Sequence, residues 1–215
     1  AGFYDAVKKM PPLRQLLLKQ ALANSKAHKK ARRKMQAMLI QEVSPLQRLI
    51  AFCEFSLRWP FHKFSSAILW PKVLIQLCGG RLRFPINGGG AIAPHVDSFF
   101  ESLGIEMLVG YGLTETSPVV SCRRPWKNIR GSSGDPLPGT KFKIVDPESK
   151  APLAYGKRGL VLVKGPQVMS GYFRKPEATT KVLDQEGWFN TGDLGILLSN
   201  GALVLTGRAK DTIVL

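Results

Sequence analysis

Cysteine and histidine are both scarce, and acidic side chains are half as common as basic ones. The three cysteines, Cys53, Cys78 and Cys122, are odd in number, far apart and without a CxxC pair. That pattern argues against a zinc knot or a disulfide framework and suits a reduced compartment. His28, His62 and His95 do not cluster, so metal ligation through them is not expected. No stretch of 18 apolar residues exists that could span a membrane, and no signal-peptide pattern opens the chain. The chain starts at Ala1 rather than Met and stops on Thr212-Ile213-Val214-Leu215 without a turn signal. Both ends therefore read as cut, and any targeting segment would lie upstream. With 15 acidic against 31 basic residues, the net charge is +16. Residues 1–35 concentrate that excess, holding ten Lys or Arg and one Asp. Such a patch suits phosphate backbones, anionic lipid or an acidic protein, and charge alone does not choose among them or against a solvated helix face.

What remains is globular in texture. Hydrophobic residues make up 44% of 215, enough for one substantial core or two modest domains. After Pro11-Pro12, a run of good helix formers extends from Leu13 to about Glu42, with Leu13, Leu16, Leu17 and Ala21 able to share a face. A second helix is expected over Leu46–Trp59, with a stripe of Leu46, Leu49, Ile50, Cys53 and Leu57, enlarged by Phe52, Phe55 and Trp59, facing a core or, alternatively, a membrane interface. Pro60 should break it, and a third helix follows over Pro71–Leu77. From Gly79 the texture changes to strand (Arg81–Ile86), glycine loop, helix (His95–Leu103) and strand (Met107–Val109), the α/β order. Polar residues then fall at strand ends, where open sheets bind ligands. The later half is β-rich, with strands over Lys141–Val145 and Gly159–Lys164, a short helix over Pro176–Leu183, and a hairpin of Gly195–Leu198 and Ala202–Thr206 turning on Ser199-Asn200-Gly201.

Four segments carry residues suited to chemistry. Asn87-Gly88-Gly89-Gly90 allows positive φ and a nest of backbone N–H groups for an anion, or simply a turn. It has neither the Gly-Lys-Ser/Thr ending of a P-loop nor the GxGxxG spacing of a dinucleotide fold. In Val109-Gly110-Tyr111-Gly112-Leu113-Thr114-Glu115, Tyr111 offers a flat ring for a base. Thr114 offers a hydroxyl for a phosphate oxygen, and Glu115 a hard oxygen ligand for magnesium. Gly110 and Gly112 permit a tight wall around a ligand; a polar surface loop is the plainer reading. In Trp188-Phe189-Asn190-Thr191-Gly192-Asp193, the Asp193 carboxylate has two acceptor oxygens, as a ribose diol requires; an ordinary turn is again the plainer reading. In Gly207-Arg208-Ala209-Lys210-Asp211, Arg208 presents a fork of donors to a hydroxyl or phosphate, while Lys210 and Asp211 could make a simple surface pair.

In this order, and with Gly165-Pro166-Gln167-Val168-Met169-Ser170-Gly171-Tyr172 between the second and third, the motifs resemble the adenylate-forming acyl-activating enzyme superfamily. The likeness runs from about residue 72 to 215. It is nearest the long-chain fatty-acid ligase branch, in particular the plant plastid acyl-carrier-protein synthetases. The resemblance implies an α/β fold, an incomplete large N-terminal domain with a helical insertion. Residues 1–71 would be the basic helical insertion and 72–135 the α/β portion carrying nucleotide loops. Residues 136–211 would be a β-rich portion ending at the hinge, and 212–215 the start of the small C-terminal domain. It implies that Gly88, Gly89 and Gly90 border adenine and the acyl pocket, that Tyr111 with Gly112 packs on adenine, and that Thr114 contacts phosphate. Glu115 would hold magnesium, Asp193 the ribose and Arg208 the nucleotide, with Asp211 as the hinge. Gly165–Tyr172 resembles a framework loop.

The implied activity is formation of an acyl-adenylate from a fatty acid and ATP with Mg2+, then transfer to coenzyme A or acyl-carrier protein, in a plastid. The family's Ser/Thr/Gly-rich phosphate loop and its lysine-bearing C-terminal domain have no match here, so the isolated chain is expected to be inactive and to bind nucleotide weakly. The competing class is a non-enzymatic basic module for anionic lipid, an acidic protein or RNA. Nucleic acid is the least expected partner, since no RNA-binding motif is present and aromatics are few among residues 1–35.

Overall fold

Helix α1 covers Pro12–Met35, with proline at its first turn, where the missing N–H breaks no ladder bond. Arg32, Arg33 and Lys34 occupy its last turn, at the negative end of the helix dipole. It ends short of the expected Glu42, just before Ala37 takes a left-handed φ of 53°. Helix α2 then runs unbroken over Pro45–Cys78. It opens on a capping box in which Ser44 Oγ accepts from Gln47 N and Gln47 Oε1 accepts from Ser44 N. It closes on Gly79 at φ 68°, whose N–H donates to Ile75 O.

The expected breaks at Pro60 and Pro71 do not occur, since both prolines sit inside α2. Each removes a ladder hydrogen bond at about 3 kcal/mol, so packing must offset that loss. The packing is an antiparallel seam with α1. On α1 it uses Leu18, Ala21, Ser25 and His28. On α2, Ala51, Phe55, Arg58, His62 and Ser65 follow one another at alternating four- and three-residue spacings straight across Pro60, as a seam of period 3.5 requires. His28 stacks on Phe55 and His62 at centroid distances of 4.4 and 4.2 Å. Ser25 Oγ lies 3.0 Å from His62 Nδ1 and accepts from Trp70 Nε1 at 3.2 Å. Asn24 Nδ2 donates to Arg58 O.

The seam takes Ala21 and Phe55 from the expected apolar faces but leaves most of their large aliphatics out. Leu46, Leu49, Ile50, Cys53 and Leu57 are exposed, Leu57 at 84%, as are Leu13, Leu16 and Leu17 on α1. Helix α3, Pro94–Ser102, is tied to α1 by a buried Arg33–Glu101 ion pair at 2.6 Å. Val7, Leu18, Ala21, Trp70 and Leu103 form the core of this helical unit.

The second unit is built from two four-stranded sheets. The first has the order β1 (Ile86–Asn87), β2 (Leu108–Gly112), β3 (Val119–Cys122), β4 (Asp135–Pro136), with β1 and β2 parallel and the rest antiparallel. Residues 81–85, expected as strand, are not; the strand begins only at Ile86. The second sheet is an antiparallel meander of β5 (Lys141–Val145), β6 (Arg158–Lys164), β7 (Phe189–Leu197) and β8 (Leu203–Arg208). The short helix α4, Pro176–Thr180, lies between β6 and β7. Val120 of the first sheet packs with Ile144, Val161, Val163 and Leu203 of the second, each fully buried aliphatic contributing about 1.5–3 kcal/mol. Main-chain bonds join the sheets as well: Ser133 N donates to Leu203 O and Leu203 N to Gly134 O. The β7–β8 turn uses Gly201 at φ 88°, and Asn200 Oδ1 accepts from Ala202 N.

The computed structural model describes residues 7–211 in these two units, 7–85 with 92–107 and 86–91 with 108–211. The expected C-terminal segment 212–215 lies outside the described residues. Among the described residues no helix is long and apolar enough to cross a membrane.

The seam carries a pH dependence. Burial, then the neighbouring His28, Lys29 and Arg32 charges, lower the His62 pKa to about 4. The folded value lies below the unfolded one near 6.5, so folding is least stable when the unfolded chain alone takes up the proton. Stability is full above about pH 6.5 and falls as pH drops toward 4. Lowering pH from 7.5 to 5 should therefore cost the wild type on the order of 1 kcal/mol more than His62→Gln, after solvent screening. Urea midpoints read by helical circular dichroism measure it; an identical pH response in both proteins would acquit His62.

Candidate functional site

At the end of β2 the chain makes two successive close manoeuvres. The β2–β3 register slips between Tyr111 and Gly112, a bulge that re-aims the residues on either side. A Cβ at Gly112 would lie 1.7 Å from Pro118 O, so only glycine fits the returning backbone. A 3-10 turn over Thr114–Thr116 follows. The buried Thr116 hydroxyl lies 2.7 Å from Pro118 O and 3.0 Å from both Leu113 N and Leu113 O, which pins the turn. Thr114 is thereby left exposed and Glu115 half-buried.

On the second sheet, Asp193 lies inside β7 rather than ahead of it. Gly192, at φ 70°, donates to Asn190 Oδ1. Thr191 Oγ1 donates to Val161 O and accepts from Asp193 N. Asp193 stands directly across from Arg208 of β8, beside a second bulge at Leu194/Gly195.

The two sheets meet in one carboxylate. Asp193 Oδ2 accepts from the Tyr111 phenol at 2.6 Å, and Oδ1 accepts from Arg208 Nε at 3.1 Å. The two partners are unequal. Arg208 is 65% exposed, so its ion pair adds no more than about 1 kcal/mol. Tyr111 is largely sheltered, and a hydrogen bond to a charged group there contributes about 1.5–3 kcal/mol. Burial, then the Asp193 carboxylate, pushes the phenol well above its ordinary range, so it stays protonated and donates.

Beside this group lies a cavity of about 490 Å³ lined by Gly88, Gly89, Gly110, Tyr111, Gly112, Thr114, Glu115 and Arg208, with Ile86, Leu113, Pro118 and Val119. Most of the residues singled out from the sequence thus converge. Asp193 is brought in behind Tyr111 and Arg208, 6% exposed and not on the cavity wall. Gly90 is not on the wall, and its carbonyl accepts from Asn87 Nδ2. Of the three loop glycines, all of which could take positive φ, only Gly89 does, at 76°. Asp211 closes a 3-10 turn over Ala209–Asp211; its side chain lies outside what the structure describes.

Against known proteins, the model of the AMP-binding enzyme family matches residues 8–173. The chain belongs to the AMP-binding enzyme family. A chloroplastic long-chain-fatty-acid–[acyl-carrier-protein] ligase of Arabidopsis thaliana is 40% identical over 94% of this chain and 30% of its own length. A probable chloroplastic acyl-activating enzyme of the same plant is 45% identical over 78% of this chain and 24% of its own. Among solved structures, ATP-bound MatB from Rhodopseudomonas palustris superposes with a TM-score of 0.59 at 31% identity, over 72% of this chain and 30% of that one. The chain thus spans less than a third of the length of these AMP-binding relatives.

One participant escaped sequence reasoning. Tyr172, at the end of the Gly165–Tyr172 segment, donates from its phenol to Glu115 Oε1 at 2.8 Å. The available signal was its place in a motif taken as framework only.

The glycines give a graded prediction. Gly112→Ala should cost about 3 kcal/mol or more, because backbone must move. Gly89→Ala, strained but in open space, should cost about 1–2 kcal/mol. Gly90→Ala, with open space and no positive φ, should stay within about 0.5 kcal/mol of wild type. Chemical denaturation of the three variants orders them; a Gly112→Ala protein as stable as Gly90→Ala would refute the close approach.

Proposed function

We propose that this chain carries the adenosine- and phosphate-facing part of an ATP-dependent fatty-acid ligase, which forms an acyl-adenylate and then an acyl thioester. The observation that carries this reading is the Tyr111–Asp193–Arg208 group bordering a cavity that also exposes Thr114 and Glu115. A carboxylate has about four lone-pair sites. Tyr111 and Arg208 take one on each oxygen, and because the carboxylate lies behind them a ribose diol would reach it by displacing the exposed Arg208 side chain. The Tyr111 ring, fixed through its own hydroxyl, offers a face to the base. Thr114 can donate to a phosphate oxygen.

The donor set also fits magnesium. Among the described residues no group of three His, Cys, Asp or Glu could hold a metal. Mg2+ is instead bound by one or two carboxylates together with phosphate oxygens and water, and Glu115 on the cavity wall would be that carboxylate. When bound, the ion neutralises phosphate charge. In the reaction, a carboxylate oxygen of the fatty acid attacks the α-phosphorus and pyrophosphate leaves. A thiol sulfur then attacks the acyl carbonyl and AMP leaves. No protein nucleophile is needed; the residues named here hold the nucleotide in place for attack. The likeness to a chloroplastic acyl-carrier-protein ligase supports a long-chain acid, a carrier-protein thiol ahead of coenzyme A, and a plastid setting. The four-part division of the chain inferred from its sequence, with Asp211 as hinge, is part of the same proposal.

A second reading draws on the exposed apolar residues of α1 and α2 beside the basic N-terminal stretch. In it, the helical unit meets an anionic lipid surface. Salt-dependent retention on phosphocellulose that ATP does not compete away would favour it.

The nucleotide reading is tested by isothermal titration of the chain with Mg·ATP and with Mg·2′,3′-dideoxy-ATP. Wild type should prefer ATP by about tenfold to a hundredfold, the worth of hydrogen bonds to a charged acceptor. Asp193→Asn should lose most of that preference. Equal affinities for the two nucleotides in wild type would remove the ribose role from Asp193.

A further inference from the structure

The loop between β6 and α4 holds Glu115 at two points. Met169 N donates to the Glu115 carbonyl at 2.8 Å, and the Tyr172 phenol donates to Glu115 Oε1 at 2.8 Å. The loop is itself anchored at both ends. Gln167 Nε2 donates to Thr140 Oγ1 near its start. Tyr172 N donates to Thr179 Oγ1 at 2.9 Å, and that hydroxyl donates on to Lys175 O at 3.0 Å. A glutamate side chain has three free torsions and pays for ordering them. With the backbone tied by Met169 and one carboxylate oxygen by Tyr172, Glu115 is held in place at the cavity it lines.

We propose that Tyr172 is a positioning residue for a divalent cation: its phenol holds Glu115 Oε1 so that Oε2 faces the metal of a bound metal–nucleotide. This rests on the reading that Glu115 serves Mg·ATP. Removal of an outer-shell partner of a metal ligand costs about 10- to 100-fold in metal affinity. The loss belongs to the metal and not to the nucleotide, and that difference separates positioning from general support of the fold.

The test uses the 215-residue chain and α,β-methylene-ATP, titrated calorimetrically with Mg2+ and again with EDTA. The ratio of the two affinities is the metal-dependent gain. Tyr172→Phe, which keeps the ring, should reduce that gain about tenfold with the EDTA affinity unchanged. Glu115→Gln should abolish the gain, and the double variant should show no further loss. An unchanged gain in Tyr172→Phe, with the gain lost in Glu115→Gln, would overturn the positioning role and leave the nucleotide reading standing. A gain that survives Glu115→Gln would overturn the metal role of Glu115 and the proposal with it. An equal loss of affinity with and without metal in Tyr172→Phe would make Tyr172 merely structural and also overturn it.

Discussion

The buried hydrogen bond from Tyr111 to Asp193 sets the terms for the rest of the second unit. It closes a loop of 82 residues between an inner strand of one sheet and an inner strand of the other, so its geometry depends on both sheets being in place. Removing one partner from such a pair leaves the other unsatisfied, at about 1–3 kcal/mol and more when the survivor is charged. The apolar contact between the sheets, Val120 against Val161, Val163 and Leu203, supplies most of the free energy of association. It fixes no direction, and the hydrogen bond does.

Two backbone irregularities make that bond possible. An ordinary ladder alternates side chains strictly between faces. The bulges at Tyr111/Gly112 and Leu194/Gly195 change the local twist beside the two partners. Gly112 is needed where the chain returns within contact of Pro118, and Thr116 fastens the turn that follows. The glycines around Tyr111 are thus explained by backbone approach before any ligand is considered. The cavity wall they form is a consequence of that approach.

Much of this was legible in the residues, though unevenly. The strand, loop and turn order of the second unit follows from turn chemistry and apolar runs, and the site residues follow from motif order. Helix α2 was misread for a physical reason. It is apolar nearly all round, so periodicity could not choose its buried face. Up to Ser65 the face actually used carries Ala51, Phe55, His62 and Ser65, with Phe55 and His62 stacked on His28 of α1, and aliphatics enter the core only later, at Leu69, Val73 and Leu74 around Trp70. Small and aromatic residues let the two helices approach closely, and that contact carries the helix across Pro60 against local propensity. Tyr172 was missed because its partner is 57 residues away, and nothing in the local sequence distinguishes a phenol that packs from one that donates.

Both acids of the site are held by phenols, in a chain with 31 cationic side chains available. The choice has an electrostatic logic. A lysine or arginine sheltered beside a carboxylate would hold it firmly, but would also cancel its charge. A phenol orients the oxygen without cancelling that charge, and its own proton is secured by the carboxylate it serves. The one cation that does touch Asp193, Arg208, is mostly exposed. Its charge is largely screened by water, so it offsets little of the Asp193 charge. Neutral phenol donors and a solvated guanidinium thus orient the two carboxylates while leaving most of their negative charge in place.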